Sequence, residues 1–260
     1  MPFDVRGLSY ETNGRAVLRD VSFHVQAGER VVVLGVNGCG KTTLLKLLDA
    51  LVFPSAGEVR WRDRRIDARA LDDATFRRAF RSEVGLLFQN VDAMLFNPTV
   101  ADEIAFGPRQ LDLPEPEARA ERWARTFMVD SMLERAPFEL SGGEKKRVAL
   151  AAIFAVGPRV VLLDEATANL DPASSAALVD FLAARRDLTV ITATHNLTIA
   201  QELGERALLL APGRSGLLFD GPTEQLLSSE ALLVESGLAH RHRHRHAGSE
   251  HAHFHVHDTE

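Results

Sequence analysis

The chain has 260 residues, 45% of them hydrophobic, and a formal net charge of −6; that length suits one large domain with a real core and room for a smaller inserted lobe. The acidic balance argues against a nucleic-acid partner, since such binders carry a basic surplus. The one cysteine, Cys39, excludes an internal disulfide and fits a reducing compartment. Without a run of about 18 apolar residues, and with a start, Met1-Pro2-Phe3-Asp4, that lacks a signal-peptide pattern, the chain is expected to be soluble and cytoplasmic.

In chain order, residues 3–89 alternate short apolar runs with turn signals. Residues 17–25 read as a strand, residues 30–34 as a buried strand running into a glycine loop, and residues 84–88 as another short apolar strand. From about 90 to 156 the texture turns helical. Good helix formers fill residues 115–128 behind Pro114 and Pro116, and an Ala-rich helix opens after Ser141 and stops at Gly157-Pro158. Buried strands then return at 160–163, 189–193 and 207–211, with a helix over Pro172–Ala184 between the first two. Strands alternating with helices predict a parallel sheet covered on both faces. Residues 239–260 hold eight of the ten histidines and lack the apolar content to fold alone, so a disordered tail is expected there.

Gly35-Val36-Asn37-Gly38-Cys39-Gly40-Lys41-Thr42 matches the phosphate-loop pattern G-x-x-x-x-G-K-[ST] in full, with a strand before it and a helix pattern, from Thr43, after it. Its glycines let successive N–H groups converge on an anion, and the helix N-terminus adds partial positive charge. Lys41 would reach the β- and γ-phosphates, and the Thr42 hydroxyl would bind Mg²⁺. The plain alternative is a glycine-rich turn with a chance Lys-Thr. Val160-Val161-Leu162-Leu163-Asp164-Glu165 ends an apolar strand in two carboxylates, at the edge where α/β proteins bind ligands. Asp164 would hold Mg²⁺ and Glu165 would polarise the attacking water; taken alone, such a pair is usually a solvated strand end.

Leu140-Ser141-Gly142-Gly143-Glu144 resembles the signature motif of ATP-binding-cassette (ABC) ATPases. Read physically, it is either a second anion site at a helix start or a helix cap with Glu144 at the third position; both can hold at once. The resemblance covers roughly residues 3–229 and implies a P-loop NTPase (RecA-like) α/β fold. That fold has a parallel-sheet core, an N-terminal antiparallel β subdomain and an inserted helical signature subdomain at about 90–157, within a nucleotide-binding domain spanning 1–238. It also implies ATP hydrolysis with Mg²⁺, and a head-to-tail dimer that holds two ATP molecules between one chain's phosphate loop and the other's Ser141, Gly142, Gly143 and Glu144. Carried over by position, Tyr10 stacks on adenine, Gln89 touches Mg²⁺ and water, Asp171 couples the two sites, and His195 contacts the γ-phosphate. Ala166, where the family commonly has Pro, and Asn196, where Asp is common, depart from the pattern without removing a catalytic group.

Residues 85–96, 99–108 and 140–147 resemble the ATPases of energy-coupling-factor importers, which take up vitamins and transition-metal ions. In that group this region faces a coupling helix of a membrane subunit. Met94, Leu95, Phe96 and Phe106 would supply apolar contact there, unless they simply pack the helical lobe. The resemblance thus implies transmembrane coupling and substrate-binding partners and a peripheral place on the cytoplasmic face of the membrane. In the tail, His240, His242, His244 and His246 form one cluster and His251, His253, His255 and His257 another. Neutral imidazole suits Ni, Co, Zn and Cu, which favours a nickel or cobalt importer. Arg241, Arg243 and Arg245 would repel a cation while keeping the rings neutral. The alternatives are the same ATPase with another cargo (zinc, a vitamin or an exported compound), a cassette ATPase outside transport, and a metal-buffering protein with a vestigial ATPase.

Overall fold

The structure, a computed structural model, describes residues 2–246 and 249–256. It divides into two compact units, one built from residues 1–66 and 191–260 and the other from residues 67–190. The first stretch of unit 1 holds β1 (Phe3–Thr12), β2 (Arg15–Val25), β3 (Arg30–Leu34), α1 (Lys41–Leu48), β4 (Ala56–Trp61) and β5 (Arg64–Arg65). Unit 2 holds α2 (Ala68–Asp72), α3 (Ala74–Glu83), β6 (Val84–Leu87), α4 (Val100–Gln110), α5 (Pro116–Thr126), α6 (Gly142–Val156), β7 (Val160–Asp164) and α7 (Pro172–Ala184). The chain returns to unit 1 along β8 (Thr189–Thr194). There follow α8 (Ala200–Leu203), β9 (Arg206–Leu209), β10 (Phe219–Pro222), α9 (Thr223–Leu227), α10 (Glu230–Glu235), β11 (Ala239–His246) and β12 (Ser249–Val256). Among the described residues, no helix is long and apolar enough to cross a membrane.

Unit 1 carries an antiparallel sheet in the order β2-β1-β4-β5. The hairpin between β1 and β2 turns on Asn13 and Gly14, both at positive φ (50° and 71°); that is the two-residue turn whose twist matches the flanking strands. A second set of strands runs β10-β9-β3-β8, with β3 parallel to β9 and β10 antiparallel at the edge. Residues 31–34 of β3 are fully buried, as a strand covered on both faces must be. Val32 and Leu34 join Ala207, Leu209, Leu226 and Leu233 in one core cluster. At the start of β9, Arg206 pairs with Glu29 at 2.9 Å and Asp220 at 2.5 Å, and these carboxylates raise its already high pKa.

Unit 2 pairs β6 and β7 in parallel and packs helices around an aromatic centre. Trp123 of α5 and Phe154 of α6 stack at 5.2 Å, and Phe181 of α7 meets Phe154 edge-on at 5.0 Å. Its helix ends follow local chemistry. Thr99 caps α4 through a bond from the Asp102 N–H at 3.1 Å, Pro172 occupies the first turn of α7, and Gly157 closes α6 in a left-handed conformation, φ 85°.

The stretch 239–260, expected as a disordered tail, has the described backbone of β11 and β12 over residues 239–246 and 249–256. β11 and β12 pair antiparallel, from Ala239 opposite Val256 to His246 opposite Ser249. The alternation of His with other residues, which sets each cluster on one side of an extended chain, is the period of a strand. His257 lies outside the described residues.

Candidate functional site

Unit 1 holds Tyr10, the phosphate loop and His195. The buried β3 delivers the chain into Gly35, where an added Cβ would sit 2.5 Å from Cys39 Sγ and 2.6 Å from the Leu210 carbonyl. Gly40 has φ +108° and its Cβ would meet Leu18 at 2.7 Å. Only glycine fits either place, so both ends of the loop are pinned against unit 1's own strands. Between them, Asn37 and Gly38 are exposed. Buried Lys41 folds its side chain back over the loop, Nζ donating to the Gly35 carbonyl at 2.6 Å and to Val36 at 3.3 Å. The residue preceding α1 is Gly40, which has no side chain with which to cap the helix; first-turn amides at such an end are suited to an anion. Burial raises the Cys39 thiol pKa, against an opposing pull from Lys41. Thr42 and Thr43 are half-buried at the start of α1. Tyr10 stands opposite Leu18 where the β1–β2 register is irregular. His195, half-buried, follows β8 directly.

Unit 2 holds Gln89, the signature residues, Asp164, Glu165 and Asp171. Asp164 and Glu165 are 1% and 4% exposed at the end of a strand buried along its length. This is not the solvated strand end that the pair alone suggests. A buried carboxylate is costly unless it has partners or meets a cation, and Mg²⁺ takes hard oxygen ligands, so Asp164 suits that ion by its chemistry. Glu165 sits at φ +48°. Lys146 of α6, 2% exposed, reaches its backbone: Nζ donates to the Glu165 carbonyl at 3.0 Å and also to the Ala168 carbonyl. Burial lowers the Lys146 pKa, while Glu165 and Asp164 pull it up. Gln89 is exposed just beyond β6.

The signature forms a complete capping box. The Ser141 N–H donates to Glu144 Oε2 at 2.7 Å, and the Glu144 N–H donates back to Ser141 Oγ at 3.4 Å. Ser141 Oγ also donates to that carboxylate at 2.7 Å, and together these bonds hold the Glu144 carboxyl below its usual pKa. A Cβ on Gly142 would meet nothing within 4 Å, so this helix start is open as well as capped. Asp171 caps α7, its Oδ1 accepting from the Ser174 N–H at 3.0 Å and its Oδ2 from the hydroxyl at 2.5 Å, and its carboxyl pKa is lowered by these bonds.

Two residues escaped the sequence reading. Lys146 lies one turn before Leu150 on the apolar face of α6; a lysine in that register was the available signal. Glu103, buried in α4, accepts from the Phe96 and Asn97 N–H groups at 2.8 and 2.7 Å through one oxygen. It fastens the loop that presents Phe96, 66% exposed, which meets Phe106 edge-on at 5.0 Å. The two rings line a largely apolar recess with Val84, Met94, Ile153 and Val156, which Arg81 and Glu103 also border.

A phosphate loop between strand and helix, a buried Asp-Glu strand end and a glycine-bearing helix start define the class: the chain belongs to the ABC transporter family, whose model matches residues 18–168. It is 39% identical over 239 residues to the nickel import ATP-binding protein NikO of Rhodobacter capsulatus, an alignment covering 89% of this chain and 93% of the relative. It is 38% identical over 241 residues to the energy-coupling factor transporter ATP-binding protein EcfA of Methanothermobacter thermautotrophicus, covering 90% and 75%. Its fold superposes with TM-score 0.75 on cbiO1 of Clostridium perfringens, described as part of the ABC transporter complex cbiONQ, at 26% identity and 91% and 94% coverage. The chain is an ATP-binding ATPase of that family and resembles its energy-coupling-factor branch.

Proposed function

We propose that the chain is the motor of an energy-coupling-factor importer for nickel or cobalt, working as a pair of copies on the cytoplasmic face of a membrane. The observation that carries the importer reading is the exposed Phe96–Phe106 pair beside the apolar recess of unit 2. An exposed ring on a loop fastened by a buried carboxylate, beside a second ring on α4, is suited to receive a partner, here a short helix of a transmembrane subunit. The name of one relative, the nickel import ATP-binding protein NikO, supports nickel as the cargo.

In this reading Lys41 and the loop amides bind and neutralise the ATP phosphates, and Tyr10 stacks on the base. The oxygen donors assigned to Mg²⁺ are the Thr42 hydroxyl, the Gln89 amide and the Asp164 carboxylate; the ion would spread charge from the transferring phosphoryl. Glu165 accepts the proton of the attacking water, and His195 contacts the γ-phosphate. The open helix start at Ser141, Gly142 and Gly143, with Glu144 closing its cap, faces ATP held by the other copy, and Asp171 couples the two sites.

The test is ATP-driven uptake of Ni²⁺ and Co²⁺ in vesicles holding the assembled transporter, with the wild-type chain or Glu165→Gln. Uptake that Glu165→Gln abolishes is expected. Wild-type turnover in the variant overturns the base. Intact wild-type turnover with uptake of neither ion overturns the cargo and leaves the ATPase standing.

A further inference from the structure

The register of β11 and β12 sets His240 opposite His255, His242 opposite His253 and His244 opposite His251. Side-chain positions alternate between the faces of a strand, so these six histidines, with His246 opposite Ser249, share one face of the hairpin. The other face takes Arg241 opposite Phe254, Arg243 opposite Ala252 and Arg245 opposite Glu250. In sequence the arginines interrupt each histidine; in the paired register they take the alternate positions of the strand. Directly opposed residues have Cβ atoms about 5 Å apart, and successive positions along one face lie about 7 Å apart. With metal–imidazole bonds of about 2 Å, an opposed pair can share one ion. The base of the hairpin is fixed, because Leu238 and Ala239 are buried with Leu226 and Leu233 in unit 1.

We propose that this histidine ladder is a binding site for imidazole-preferring divalent transition ions, built from the opposed pairs His240–His255, His242–His253 and His244–His251. An isolated two-stranded hairpin is marginal in water, and an ion held across the strands binds only the paired form, so metal stabilises the hairpin by mass action. The proposal rests on the backbone register; it stands whether or not the importer carries a metal.

The experiment is calorimetric titration of the full chain, without any added affinity tag, using Ni²⁺, Co²⁺ and Zn²⁺, with amide hydrogen exchange over residues 240–256 in parallel. The discriminating variant exchanges two neighbours, His242→Arg with Arg243→His. Composition and charge are unchanged, while one histidine leaves the ladder and its opposition to His253. The number of ions bound should fall, because His253 loses its opposed histidine while His240–His255 and His244–His251 remain, and metal should slow exchange in the wild-type hairpin. His246→Ala, outside the opposed pairs, should bind within about twofold of wild type; retained ATP turnover in both variants shows that the rest of the chain is folded. The same number of ions bound with the same affinity by the exchanged variant and the wild type overturns the ladder and leaves an unstructured histidine-rich chelator. No binding lost on truncation after Ala239 overturns the site altogether. Neither outcome touches the ATPase or its cargo, which the uptake assay reads.

Discussion

Lys146 Nζ, reaching in from α6, holds the backbone carbonyl of Glu165 at 3.0 Å. The signature helix is thereby tied to the backbone of the carboxylate assigned as base, at a residue in left-handed conformation, φ +48°, where a non-glycine residue persists only if its surroundings enforce it. Replacing Lys146 with Met keeps the buried stem and removes the donor from the buried Glu165 carbonyl and the half-buried Ala168 carbonyl. The cost should be about 1–3 kcal/mol in denaturant unfolding. If the bond positions Glu165, kcat for ATP should fall about tenfold, equivalent to about 1.4 kcal/mol of barrier, with KM for ATP nearly unchanged. A stability loss with unaltered kcat would leave Lys146 a purely structural tie.

The capping box at Ser141 and Glu144 makes a pH-dependent contribution. In the folded chain the Glu144 carboxyl titrates below its ordinary value of 4.5. Its stabilisation is therefore complete above that value and is lost as pH falls through the lower folded-state value. Ser141→Ala should cost about 1 kcal/mol at neutral pH, and the difference from wild type should shrink as unfolding is measured at pH values falling below 4.5.

At Gly35 the geometry leaves no space. Gly35→Ala drives a methyl against Cys39 Sγ and the Leu210 carbonyl, so ATP binding should be lost, and a fluorescent ATP analogue would read that directly. Cys39 reports on the same loop. Its thiol is buried, with a raised pKa, so alkylation at pH 8 should be slow in the wild type and at least several-fold faster in Gly35→Ala, because the thiolate is the reactive form.

Glu103 is the corresponding fastening in unit 2. Glu103→Gln keeps an acceptor but removes the charge that two N–H groups share at 2.8 and 2.7 Å. A loss of about 1–2 kcal/mol is expected, with faster amide exchange at Phe96 and Asn97 and little change in the ATP turnover of the isolated chain.

Much of the chemistry was legible in the sequence. The phosphate loop, the Asp164-Glu165 strand end and the signature each depend on residues a few positions apart, and local spacing specifies local backbone. The strands and helices around them fell close to the expected places, Pro172–Ala184 at the expected bounds, because Asp171, Pro172 and Gly157 mark helix ends by short-range effects. What no window could supply was pairing between distant segments. Lys146 is 19 residues from Glu165, and nothing in the period of α6 says that its ammonium meets the carbonyls beyond β7. That Asp164 and Glu165 are buried, where a strand end alone suggests solvent, is decided by the packing of unit 2. The tail shows the same division: the i, i+2 spacing of each cluster already sets its histidines on one side of an extended chain, while only the pairing of two strands sets the clusters opposite one another. A one-residue slip in that register would reverse the faces of one strand, so the ladder belongs to the tertiary structure although every histidine in it was visible in the sequence.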